Sequence, residues 1–152
     1  MRLYIRDEYI SFIENLSRGY DNFDADIIIE IFEELYHYVE YNGTGNSYVE
    51  WITEHYKFFM MEIFIWTDII LFKYKKYSIM HDILYSVYYV NFKYGDNKKY
   101  FENFRYWLNY LEQHQIGDRK KLSICAEKLI SRATYNCKNY KNELIEVDIL
   151  YF

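Results

Sequence analysis

The sequence predicts a mainly α-helical fold: one domain over residues 1–152, built as a bundle of about six helices. Three observations carry that prediction. Apolar residues recur at spacings of three and four along most of the chain, which aligns them on one face of a helix. The chain has no proline, which argues against a loop-rich sandwich, and its aromatic content excludes a collagen-like or disordered composition. With 152 residues, 51% of them apolar, there are enough side chains for one core of ordinary size.

The first helix is expected from Arg6 to Ser17, with Tyr9, Phe12, Ile13 and Leu16 on one face and Gly19 beyond its C-terminus. Asp24 is placed to cap a second, in which Ile27, Ile28, Ile31, Phe32, Leu35, Tyr38 and Val39 form the apolar stripe. Asn42-Gly43-Thr44-Gly45-Asn46 ends it in a loop. Ser47 and Glu50 have capping-box spacing, so a third helix should begin at Tyr48 and run to about Lys75, where Lys73, Lys75 and Lys76 suit its negative C-terminal end. The run from Phe58 to Phe72 is fifteen residues long and contains Glu62 and Asp68. That is too short and too charged for a membrane span, and it reads as a helix buried in the core.

Near Ser78 a fourth helix opens, carrying Ile79, Ile83, Leu84 and Val87 toward Gly95. Asp96 opens a fifth with Tyr100, Phe101, Phe104, Trp107, Leu108 and Leu111, which closes at Gly117. Asp118 caps a sixth, in which Leu122, Cys125, Ala126, Leu129, Ile130 and Ala133 keep the helical period. In the tail the period changes: Ile145, Val147 and Ile149 alternate with acids over 144–151, the pattern of a half-buried strand. Leu3 and Ile5 alternate likewise, so the two ends fit either a short terminal strand pair or a short helix each.

Cys125 and Cys137 have no Cys-x-x-Cys partner and no histidine at ligand spacing, which suggests neither a zinc site nor a disulfide framework and makes the cytoplasm the expected location. The first eight residues show no apolar stretch of signal-peptide length. Twenty tyrosines and eleven phenylalanines match the residue set that AT-rich coding sequence produces, and tyrosine also suits protein interfaces.

Catalytic and cofactor templates fail in turn. The glycines are scattered and lack Gly-Lys-Ser/Thr, so no phosphate-cradling loop is expected. None of His37, His55, His81 or His114 follows an arginine at the four-to-six spacing of HEPN-type ribonucleases. A di-iron bundle needs two Glu-x-x-His pairs, and only Glu34 with His37 fits. No catalytic residue, metal ligand or cofactor is therefore predicted. An enzyme would have to draw on His55, Glu62 and Asp68 in one pocket.

Charge segregation stands out instead. Between Gly19 and Tyr56 there is no Lys or Arg, while Asp21, Asp24, Asp26, Glu30, Glu33, Glu34, Glu40, Glu50 and Glu54 supply nine negative charges. The whole chain carries −5, so the remainder is net positive. On the second helix Asp26, Glu30, Glu33 and Glu40 lie opposite the isoleucines, with Tyr36, His37 and Tyr41 nearby. Like charges at that spacing repel at a small cost each, which suits a positive partner and disfavours direct nucleic-acid binding. The basic C-terminal segment, with Arg119, Lys120, Lys121, Lys128, Arg132, Lys138 and Lys141, is mixed with acids and lacks a recognition motif.

In size, acidity and its acidic block from Asp21 to Glu54, the chain resembles the immunity proteins of contact-dependent growth inhibition and polymorphic toxin systems. That resemblance implies a 1:1 complex with a cognate toxin, a basic nuclease domain whose substrate cleft the acids and tyrosines occlude. An alternative is a viral Bcl-2-like bundle that binds host apoptotic or signalling proteins. The central apolar helix and the run Leu122-Ser123-Ile124-Cys125-Ala126 are similar to that class, which implies an apolar groove for an amphipathic helix.

Overall fold

A computed structural model describes residues 2–36, 47–90, 98–103, 129, 131–132, 140, 142–144 and 146–147, with 2–3 and 47–54 described as backbone only. The fold is mainly α-helical, as predicted. Helix α1 spans Arg2–Gly19, α2 Asp26–Tyr36, α3 Ser47–Lys73 and α4 Tyr77–Tyr85. Strands β1 (Tyr88–Tyr89) and β2 (Lys98–Lys99) pair antiparallel, with Tyr88 opposite Lys99 and Tyr89 opposite Lys98. Further helical residues lie at 101–103, 129, 131–132, 142–144 and 146–147.

The centre is α3. From Phe59 to Leu71 every residue is buried, Glu62 and Asp68 included, so the helix is enclosed on all sides, as its predominantly apolar run predicted. Around it pack α1, α2 and α4, while α2 also meets β1. Ring contacts tie these layers together. Phe32 of α2 lies 4.8 Å from Phe64, Phe64 lies 5.4 Å from Phe101, and Trp66 meets Tyr140 edge-on at 6.3 Å. Tilted and edge-on arrangements let the positive edge of one ring face the negative face of the next.

The C-terminal end of α3 is closed by its backbone. Lys76 donates its N–H to the Leu71 carbonyl at 2.8 Å, and Lys75 to that of Phe72 at 3.0 Å, the two bonds of a Schellman cap. The cap requires left-handed backbone at Lys75, whose φ is 58°. At the start of α2 the predicted cap forms, with Asp24 Oδ1 accepting the N–H of Asp26 at 3.0 Å.

Five expectations are corrected. Helix α1 starts at Arg2 rather than Arg6, so the alternation of Leu3 and Ile5 is not a strand. Its buried stripe is Arg6, Ile10, Ile13 and Ser17, with Phe12 exposed, because Arg6 turns inward to a buried acid. On α2 the fully buried positions are Ile28, Phe32 and Tyr36, and Ile27 is 41% exposed. Helix α4 stops at Tyr85, well short of Gly95. Ser86 is extended (φ −70°, ψ 154°), and the following Val87–Val90 is β-branched and aromatic, which favours the short strand; β2 then occupies the expected start of the fifth helix, and helical structure begins at Phe101. In the tail, residues 142–144 and 146–147 are helical, and Tyr140, Leu144 and Val147 are buried at helical spacing. The two ends therefore do not form the terminal strand pair, and among the described residues the sheet is the internal antiparallel pair β1–β2.

Candidate functional site

Helix α2 presents the acids. Because Ile28, Phe32 and Tyr36 turn inward, Asp26, Glu30 and Glu34, four residues apart, lie exposed on another side of the helix. None of the three forms an ion pair with a described residue. Asp21 and Asp24 are exposed beside the start of α2, where Asp24 is engaged in the cap.

Two predicted members serve the fold instead. Glu33 is half-buried, and its Oε1 accepts the backbone N–H of Tyr89 at 2.6 Å, which fastens β1 to α2. Tyr36 is only 2% exposed, so its ring belongs to the core and not to the surface expected for it; the ammonium of Lys99 lies 5.9 Å from the ring centre. Glu50 and Glu54 lie on α3 where only the backbone is described, and His37, Glu40 and Tyr41 lie outside the described residues.

The fold also brings cations to the acidic block that the sequence order conceals. Lys76 donates to the carbonyls of Tyr20 and Asp21 at 2.6 and 2.7 Å, at one end of the block. Lys99 stands over Tyr36 at the far end of α2. Between them the outer face of α2 keeps its negative charge.

A cleft of about 770 Å³ opens between the start of α2 and α4, with Asp24, Asp26, Ile29, His81, Asp82 and Tyr85 among its lining residues. His81 stacks on Tyr85 at 4.6 Å and its Nδ1 lies 3.4 Å from Asp82 Oδ1. Tyr85 is 76% exposed, and Tyr77 and Tyr89 are exposed as well. Asp82, Tyr85 and Tyr89 therefore extend the acidic, aromatic surface beyond the residues predicted for it. On α4 the sequence signal for Asp82 and Tyr85 was their place off the Ile79–Ile83 stripe.

Glu62 and Asp68 take separate environments. Glu62, fully buried on α3, accepts Arg6 Nη1 at 2.7 Å, and Arg132 meets it with Nη2 at 3.0 Å and Nε at 3.2 Å. Arg6 also donates to the Arg132 carbonyl and to Asp7 Oδ1. Burial works against the Arg6 charge, but hydrogen bonds and the fields of Glu62 and Asp7 outweigh it and raise its pKa. This buried acid is thus held by two arginines rather than turned to water or paired with a lysine. Asp68 stands six residues on, about 120° away around the axis. Its nearby ionisable groups are Tyr9 and Tyr88. His55 is exposed. The structure therefore does not bring His55, Glu62 and Asp68 into one pocket, and among the described residues no cluster of three His, Cys, Asp or Glu side chains suits a metal ion. Among the described residues no helix is long and apolar enough to cross a membrane.

No protein-family model matches the chain, and no curated protein or solved structure matches it.

Proposed function

We propose that the chain is an immunity protein that binds a cognate, basic nuclease toxin in a 1:1 complex and occludes its substrate cleft. The observation that carries this reading is the row Asp26, Glu30 and Glu34, exposed on α2 with no ion pair to a described residue. Held on a rigid helix, such a row attracts a nucleic-acid-binding surface before contact and repels the nucleic acid that competes for it. Exposed Tyr85 and Tyr89 supply contact area beside the acids with little rotamer entropy to lose. The protein itself performs no chemistry in this reading; it works by steric exclusion, and the cytoplasm is where it meets the toxin.

The Bcl-2-like alternative gains from α3, a helix enclosed by the others. It requires an apolar groove, however, and the α2–α4 cleft is lined by Asp24, Asp26 and Asp82. Charge favours the first reading.

The test is capture of the adjacent gene's product by the tagged protein, at low and high salt. Capture of a basic nuclease whose activity is then lost is the expected result. The triple variant Asp26→Asn, Glu30→Gln, Glu34→Gln should fold normally and associate at least about tenfold more slowly at low salt. An unchanged on-rate and affinity would sink the proposal, and capture of a helical peptide partner would move it to the alternative.

A further inference from the structure

Asp68 is a carboxyl group in the wrong solvent. It lies on α3 at 0% exposure, and neither carboxyl oxygen has a hydrogen-bond partner among the described residues. Glu62, equally buried on the same helix, is met by two guanidinium groups, whereas no cation among the described residues reaches Asp68.

The neighbouring hydroxyls have their hydrogens engaged elsewhere. Thr67 donates to the Ile63 carbonyl at 2.8 Å, so in its 2.8 Å contact with Tyr9 the phenol is the donor. Tyr88 donates to the Ile83 carbonyl at 2.6 Å. Neither phenol has a hydrogen left for a carboxylate at position 68.

Several of the remaining charged groups on the surrounding elements are engaged elsewhere or exposed, Lys99 of β2 against the Tyr36 ring among them. From α1, Arg6 and Asp7 belong to the Glu62 cluster, and Glu14 accepts from Tyr74. From α2, Glu33 is bound to the Tyr89 amide and adds negative charge near Tyr88. From α4, His81 and Asp82 are exposed.

We propose that the native fold holds Asp68 as a neutral carboxylic acid, so that one proton is taken up at the α1–α3–β1 junction when the chain folds. An ionised carboxylate there would be desolvated with neither a cation nor a donor among the described residues to offset the cost, and a group so placed neutralises instead. Burial accordingly raises its pKa well above the ordinary 3.8. Burial raises Tyr88 and Tyr9 too, so neither phenol gives up its proton first.

Proton uptake on folding sets the sign of the pH dependence. Between 3.8 and the raised native value, the folded chain binds one proton more than the unfolded chain, so stability falls as pH rises through that window. This contribution is complete below 3.8 and is lost once pH passes the native value. Exposed carboxylates paired with cations give the opposite slope, so the Asp68 contribution must be read as a difference.

The experiment is urea unfolding of the wild type and of Asp68→Asn across pH 4 to 9, with all else constant. An asparagine mimics the neutral acid in shape and cannot ionise. The ratio of wild-type to variant folding constants should fall tenfold for each pH unit within the window and level off above it. A ratio independent of pH overturns the proposal. If the variant does not fold, carbon-13 carboxyl resonances of the wild-type protein decide the matter. A resonance for Asp68 that stays in the protonated position up to neutral pH supports the proposal, and one that titrates near 3.8 overturns it.

Discussion

At the scale of single residues, the two buried acids of α3 show how little the identity of a side chain says about its state. Glu62 has two arginine partners, one of them, Arg6, fully buried and the other, Arg132, with its side chain 41% exposed. Removing the acid leaves the buried Arg6 guanidinium with Asp7 as its one carboxylate partner among the described residues, so Glu62→Ala should cost about 3 kcal/mol, whereas Arg132→Ala should cost only about 1 kcal/mol because water compensates that end. Urea unfolding at neutral pH measures both, and equal losses would show that water does not compensate the Arg132 end. The sequence revealed that α3 carries acids inside an apolar run. It could not reveal their partners, because Arg6 and Glu62 are 56 residues apart and Glu62 and Arg132 are 70 apart. Nor could spacing separate a paired acid from one left alone at position 68.

At the scale of elements, periodicity located the helices and misjudged their phases and ends. For α2 the acidic row and the apolar stripe were both legible, but the stripe is centred on Ile28, Phe32 and Tyr36, which moves Ile27 to the surface and Tyr36 inside. A run of apolar residues on adjacent positions leaves that phase open by about one residue, or 100°. The α4 end was hidden because Val87 continues the spacing of Ile79 and Ile83, while a strand of two residues is too short to show an alternation of its own. At the end of α3, the left-handed Lys75 is a residue of the wrong kind for its backbone. Replacing it with glycine removes the Cβ clash, so Lys75→Gly should raise the unfolding free energy by about 1 kcal/mol. Thermal unfolding reads the change, and a loss of stability would mean that the lysine makes a contact worth more than the strain.

For the whole molecule, the segregation of charge matters more than its net value of −5. The described part of the acidic block, Asp21 to Glu34, lies on α2 and its approach, with Lys76 at one end and Lys99 at the other, so the field of these acids is local to one side of that helix. Such a field is screened over about 10 Å at 0.1 M salt. Association with a basic partner should therefore slow steeply between low and physiological salt for the wild type, and much less for the triple variant at Asp26, Glu30 and Glu34. Stopped-flow mixing at several salt concentrations measures both slopes. Parallel slopes would assign the steering to other acids. The broad location of this surface was legible, since no Lys or Arg interrupts residues 19–56. The contribution of Asp82 and Tyr85 was not, because α4 joins the surface only through folding.

The bond between Arg6 and the Arg132 carbonyl spans 126 positions of the chain. During synthesis the first helix leaves the ribosome early, and Glu62 follows about 3–11 seconds later at ordinary elongation rates of 5–20 residues per second. Arg132 emerges only after a further stretch longer than the first. Until then Arg6 and Glu62 lack their third member, and α1 waits for a residue made 126 positions after Arg6. Nascent chains stalled before residue 132 emerges should accordingly leave α1 more open to proteolysis than chains stalled after it has emerged.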